Sequence, residues 1–456
     1  MKYVVSFLFL MSICVSYAQD LSPNEMKIDV NYYFEMLNKY HPNLYKKYTA
    51  IQFDSLRQSI LLNIKDTMSC RDFNRLMLRV NAYTDGHTNV NINKITKWNV
   101  QTKFPYFQVR EDSLLLNDNL IVFINDVSTK EIVQELSNMY SWEYSSLLKE
   151  KSINDDFLLF AAKFYGIKPP YIASFKNLKT GEMKKDTLKL VKQVYNNESK
   201  FNFEFFEEYS IAVLHYNTCY LGKDEEFFEH VLIEAFRKMK NDHIKYLFID
   251  VTKNGGGSDE YQKYIFKHLN AKKVTIKIVK RINKKCVKEL MEQDVKENRK
   301  YLASQGTTFM KRLKIRYFIW KLERAKKNFL KTGTGTLKIS MPGNTKGFDG
   351  KVFVLQGRET FSAAISLVEY FRRQNMGLVV GEQAGEPICF SGNPREDILP
   401  YSKIKIRYSL VEEINYPKME TDENGFIIPD IPYDVYNREL GIEDYLKIID
   451  MSNNLK

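Results

Sequence analysis

Cysteine, histidine and tryptophan are scarce in this chain, and each scarcity narrows what it can be. Of 456 residues five are Cys, six are His and three are Trp. The cysteines Cys14, Cys70, Cys219, Cys286 and Cys389 show no paired spacing, so neither a zinc ribbon nor a dense disulfide scaffold fits. Cys219 and Cys389 sit among apolar neighbours, as buried thiols do. No His-Glu-x-x-His helix occurs, no Gly-Lys-Ser/Thr follows a glycine run, and no metal or other cofactor is called for. No internal repeat or low-complexity tract is visible.

Long apolar runs are also missing, with one short exception at the start. Lys2 precedes an apolar stretch from Val4 to Val15, and Ser16-Tyr17-Ala18 offers small residues for cleavage. Residues 1–18 read as a secretory leader, with the mature chain beginning near Gln19 and exported to a periplasm or the extracellular space. The run is short for a membrane span, which needs ~20 apolar residues.

Charge is uneven. The net charge is +12, yet residues 271–331 alone hold 20 Lys and Arg against 5 Asp and Glu, so the remainder is slightly acidic. The basic, aromatic-flanked stretch Lys311 to Trp320 suits an anionic surface such as lipid or acidic glycan. The plainer reading is a solvated insertion of basic helices, and export argues against nucleic acid.

Periodicity divides the rest. Residues 19–98 read as an N-terminal helical domain, from Tyr32, Tyr33, Met36 and Leu37 and again from Phe73, Leu76, Met77 and Val80. His41-Pro42 ends the first of these helices, and Asp72 suits the start of the second. Residues 99–200 read as a small β-rich module, PDZ-like at most. Its expected strands are Tyr106 to Val109, Ser113 to Leu116 and Leu120 to Ile124, with a helix at Thr129 to Leu136. Residues 201–450 read as an α/β core carrying the basic, largely helical insertion 271–345. Tyr209 to His215, Tyr246 to Val251, Val352 to Leu355 and Leu378 to Val380 read as strands, the second and third as buried ones. They alternate with helices Glu225 to Lys240 and Ala363 to Asn375, the latter capped by Gly377, which predicts a mainly parallel sheet.

Three segments at turns of this pattern attract chemistry. Ser362 lies between a strand and a helix start, where backbone N–H groups favour negative charge. Alone it reads equally as an N-cap serine. Gly255-Gly256-Gly257 follows the strand ending at Asp250, and such glycines allow either a plain turn or inward-facing amides. His87, in Asp85-Gly86-His87-Thr88, is alone among the histidines in sitting in a short polar glycine turn before the strand-like Asn89 to Ile92. Neutral imidazole is the ordinary base for a serine.

Together these segments resemble the C-terminal processing, or tail-specific, serine peptidase family, including its tricorn-core-like branch. The matching residues are Ile249-Asp250 with Asn254 to Gly257, then Ser362-Ala363 and Gly381-Glu382. Gly425 to Asp430 also matches with one extra residue, as do His41-Pro42 and the closing Gly441 to Leu446. The resemblance covers most of residues 25–450 outside the insertion. It implies a crotonase-like (ClpP/crotonase) core and a polypeptide substrate cleaved through an acyl-enzyme on Ser362. In the branch that uses a serine–lysine dyad, the lysine position falls here on Pro387, preceded by Glu386, and no lysine occurs from Phe361 to Tyr401. The resemblance therefore implies His87 as general base, with amides of Ala363 and Gly255 to Gly257 as oxyanion donors. Glu423 is the expected orienting carboxylate and Asp85 its alternative, because Gly86 stands where the branch has a serine. The same fold also admits a catalytically silent ligand- or peptide-binding protein, and a third reading makes the insertion a surface-adhesion module.

Overall fold

The computed structural model describes residues 20–91, 102–192, 199–303, 309–341, 343–416, 419–436 and 438–455. The expected leader and Ile92 lie outside them.

The N-terminal helices form where caps and apolar spacing coincide. α1 (Pro23–Tyr40) opens on a Ser22/Glu25 capping box and buries Met26, Val30, Tyr33, Leu37 and Tyr40 at three and four spacing. It stops at His41, whose backbone is extended, as expected before proline. α2 (Ala50–Leu62) has a Thr49/Gln52 box, and α3 (Cys70–Leu78) is capped by Ser69 through the Asp72 N–H. The chain then reaches a short strand, β1 (Asn89–Val90).

In the module, six short strands between Gln108 and Thr187 form an antiparallel sheet backed by α4 (Thr129–Ser137) and α5 (Ser146–Phe164). The 19-residue α5 is unannounced in a segment read as β-rich. Its apolar residues Ile153, Phe157, Leu158, Phe160 and Ala161 join the same core cluster as Leu37, Phe73 and Met77 of the N-terminal helices. The two units thus share one interior.

The elements that follow and bear on the site include β2 (Phe201–Phe206), β3 (Ile211–Tyr216), α6 (Glu225–Asn241), β4 (Tyr246–Asp250), β5 (Val274–Arg281), α7 (Val287–Ala303), α8 (Phe309–Thr332), β6 (Thr334–Met341), β7 (Lys351–Gln356), α9 (Ala363–Arg373), β8 (Leu378–Gly381), β9 (Lys405–Tyr408), β10 (Val411–Tyr416), β11 (Ile431–Pro432) and α10 (Ile442–Asn453). The central sheet runs β2-β3-β4-β7-β8-β11, parallel from β3 onward. Its strands are apolar on both faces, as a covered parallel sheet requires. Leu214, Leu247, Ile249 and Val354 face one core, while Val213, Phe248, Phe353 and Leu355 meet Tyr445 and Ile448 of α10 on the other. Gly377 does not cap α9. Asn375 takes the left-handed conformation (φ 51°), while Gly377 lies against the Val352 carbonyl, where a side chain has no room.

The insertion differs from its expectation at both ends. β5 and β6 pair antiparallel from Val274↔Met341 to Arg281↔Thr334, a two-stranded stalk that carries the helical pair α7 and α8. β5 also pairs with β10, which ties the stalk to the rest of the protein.

Candidate active site

The turns at the carboxyl ends of β4 and β7 meet the turn before β1. Ser362 follows β7 and has φ 55° and ψ −123°, a conformation that L-residues avoid and that persists only where neighbours hold it. The neighbours are specific. The Phe361 N–H donates to the Asn254 carbonyl at 3.0 Å, the Thr360 hydroxyl donates to the Val251 carbonyl at 2.8 Å, and the Ser362 N–H donates to Glu386 Oε1. The Ser362 hydroxyl does not cap α9, so the plain N-cap reading fails.

It faces His87 instead. His87 Nε2 lies 3.0 Å from Ser362 Oγ, across 275 residues of sequence. The ring is buried between Phe361 and Phe390, with centroids 4.9 and 5.5 Å away. Asp85 builds the turn that presents it. Its carboxylate accepts the His87 N–H, the Thr88 hydroxyl and the Ser409 hydroxyl, each at 2.8 Å, and pairs with His41 Nε2. His41 and Asp85 are therefore support beneath the turn, and Asp85 does not meet the His87 ring edge. Gly86 is needed for space, because a Cβ there would stand 2.9 Å from the Phe361 ring and 3.0 Å from Tyr144.

The carboxylate facing the ring is Glu386. Its Oε2 lies 3.6 Å from His87 Nδ1, beyond hydrogen-bond length, and the Ser391 backbone also acts on the imidazole. Glu423, the residue expected in this role, is exposed on the turn between Asp422 and Gly425. The sequence left one trace of the answer: Glu386 adjoins the position at which the dyad branch carries its lysine. A carboxylate reaches His87 from there once the chain turns at Gly385-Glu386, with the Gly385 N–H bonded to the Thr360 carbonyl.

Glycines beside Ser362 divide their work. A Cβ on Gly256 would come within 2.6 Å of Ser362 Cβ, and one on Gly257 within 2.4 Å of the Cys219 backbone; both residues have positive φ. The Gly256 N–H donates to Asn254 Oδ1 at 2.9 Å, which removes it from the expected oxyanion donors. Asn254 is fully buried and also donates to the Tyr216 carbonyl. Ala363, the first residue of α9, presents one of the unpaired N–H groups of a helix start beside Ser362. Gly255 stands in open space.

Electrostatically the site is a buried acidic cluster with few cations. Glu143 Oε2 accepts the Gly86 N–H at 3.0 Å, and Lys46 Nζ lies 3.5 Å from Glu143 and 3.6 Å from Glu412. Arg281 completes the pairing of Glu412 at 2.7 Å. Burial pushes the His87 imidazole down to about 4 against the opposing charge of Asp85, so the ring is neutral at pH 7. Burial also acts to raise Asp85, but the charge and hydrogen bond of His41 outweigh it and hold this carboxyl well below the usual range. Burial and the charge of Asp85 push Glu143 up to about 7, with Lys46 opposing. Burial, then the charge of Glu143, push Glu386 well above an ordinary carboxyl, against the Ser362 N–H. None of the four described cysteines forms a disulfide; Cys219 is buried as expected, Cys389 only half-buried. Among the described residues no cluster suited to a metal ion occurs.

The model of peptidase family S41 matches residues 210–391, a span that holds Gly255 to Gly257, Ser362 and Glu386. No curated protein sequence matches significantly. Among solved structures, mature CPAF is 12% identical, with 94% of this chain and 96% of that one covered at a TM-score of 0.61. A serine-to-alanine mutant of CPAF is 14% identical, with 95% and 98% covered at 0.62. A complex of mature CPAF with lactacystin is 13% identical, with 94% and 97% covered at 0.60. At these identities the three structures establish a shared fold.

Proposed function

We propose, from the match of residues 210–391 to the model of peptidase family S41, an exported serine peptidase that cleaves peptide bonds through an acyl-enzyme on Ser362. One observation carries the reading: His87 Nε2 at 3.0 Å from Ser362 Oγ. A neutral imidazole at that distance accepts the hydroxyl proton as Oγ attacks the substrate carbonyl. The Ala363 N–H then donates to the developing oxyanion, a contact of a kind worth about 3 to 4 kcal/mol. His87, now imidazolium, passes its proton to the leaving amine, and water repeats the sequence to free the acyl group.

Glu386 is the orienting group in this reading. It faces Nδ1, and once ionised and drawn within hydrogen-bond reach it favours the tautomer whose Nε2 is free to accept. Its raised pKa means it must ionise before it can stabilise imidazolium. The mainly parallel sheet supports a crotonase-type core, and the module's six strands and two helices support a PDZ-like role in holding peptide. A cleft of about 660 Å³ lies against Gly357, Arg358 and Glu359 on the loop leading to Ser362, and is lined across by Tyr106 and Lys151 of the module. Export rests on the leader-like residues 1–18.

The test is hydrolysis of an unfolded protein such as casein by the purified chain. Cleavage that disappears in both Ser362→Ala and His87→Ala supports the reading. Cleavage that survives Ser362→Ala overturns it, and a chain that binds peptide without cleaving it is the silent binder instead.

A further inference from the structure

α8 has two faces, and only one of them is used by the fold. Ile319 and Phe329 are buried, and Phe329 with Leu322 and Ala325 belongs to the core cluster that holds Val287, Leu290 and Met291 of α7. At 3.6 residues per turn the opposite face carries Phe309, Met310, Leu313, Tyr317 and Trp320. These are 74, 62, 45, 57 and 51% exposed. Single exposed apolar residues are ordinary, but five large ones on one helical face are not. The helix also holds nine Lys and Arg against one Glu. Lys321 lies 4.8 Å over the Tyr317 ring and Arg324 5.5 Å over Trp320, so cations border the apolar face directly.

We propose that this outward face of α8 docks the protein on an anionic lipid bilayer. The chemistry selects that occupant. A second copy of the helix would bring nine basic residues against nine, which repels. Nucleic acid would use the cations and the rings, but gives no apolar medium for Leu313 and Met310. A bilayer with anionic headgroups uses both parts: rings and aliphatic side chains enter the headgroup–acyl boundary while Lys and Arg meet phosphate. The stalk of β5 and β6 carries this helix at its far end. The base of the hairpin is fixed to α1, where Asn283 donates to the Asn38 and His41 carbonyls and Glu289 pairs with Lys39. Docking through this face uses none of the residues described around Ser362. The inference does not depend on peptidase activity, since its readout is vesicle binding.

The experiment is sedimentation of the full mature chain with vesicles of phosphatidylcholine, with and without phosphatidylglycerol. Binding is expected only to the anionic vesicles and should weaken as salt rises. Lys321→Gln and Arg324→Gln should each weaken it about fivefold. Leu313→Gln with Trp320→Gln should weaken it at least about tenfold. A blue shift of emission on vesicle addition, absent in Trp320→Phe, should place that ring in the boundary. Thermal unfolding of each variant separates lost docking from lost fold. Equal binding to neutral vesicles, or anionic binding untouched by all these substitutions, overturns the proposal. So does binding to an acidic polypeptide in place of vesicles, which would make the face a protein-docking surface.

Discussion

Ser362, His87 and Glu386 form a chain of contacts in which each residue restrains the next. Gly256 is the floor under it: Gly256→Ala puts a Cβ 2.6 Å from Ser362 Cβ at φ 98°. The expected result is a stability loss of about 1 to 3 kcal/mol in urea unfolding, with peptidase activity lost well before the fold. Glu386→Gln keeps the shape and removes the ionisable group. A kcat fall of about a hundredfold or more with little change in KM is expected. The acid limb of kcat/KM separates this from a structural effect. In the wild type it should be set by Glu386, whose pKa burial raises, whereas in the variant it should move down toward the value of about 4 held by His87. The same groups shape stability against pH. His87 takes its proton near 6.5 when unfolded and near 4 when folded, so its contribution is complete above 6.5 and is lost as pH falls toward 4, on the order of 3 kcal/mol. Glu143, raised from 4.5 to about 7, works in the opposite sense and loses stability as pH rises through that window. Glu143→Gln should therefore expose the His87 slope, with unfolding free energy rising from pH 4.5 to 6.5 more steeply than in the wild type.

Among the elements, β5 bears on the site through Glu412. Arg281 stands directly opposite Glu412 in the β5–β10 register, and the buried Glu412 also receives Asn43 and the approach of Lys46. Arg281→Ala leaves that carboxylate short of a partner, and a destabilisation of about 2 to 4 kcal/mol is expected in denaturant unfolding. Strands with continuous apolar runs, Tyr246–Asp250 and Lys351–Gln356, were legible to within a residue or two because burial on both faces leaves no other pattern. α5 was not legible, since its apolar residues are interrupted by Lys149, Lys151, Asp155 and Asp156 among short strand-like neighbours. The stalk strands were hidden because β5 alternates Lys with Ile, a pattern that a basic helix also tolerates. In the site, His87 stood out as one of six histidines, set in a polar turn, and Ser362 by its place between a strand and a helix start. Glu386 did not, because carboxylates are common and its partner is fixed only by tertiary packing.

On the scale of the molecule, the proposed base and nucleophile come from distant parts of the chain. His87 belongs to the N-terminal part whose core includes Tyr33 and Phe73, and Ser362 to the central sheet. A fragment of residues 200–455 should fail to react at Ser362 even where it folds, because it carries neither His87 nor Asp85. The central claim is that one imidazole activates one hydroxyl, and covalent labelling reads it most directly. Treated with a fluorophosphonate and mapped by peptide mass spectrometry, the intact chain should carry one adduct, on Ser362, and His87→Ala should label far more slowly. An adduct on another serine, or labelling of Ser362 at an unchanged rate in His87→Ala, would contradict the account.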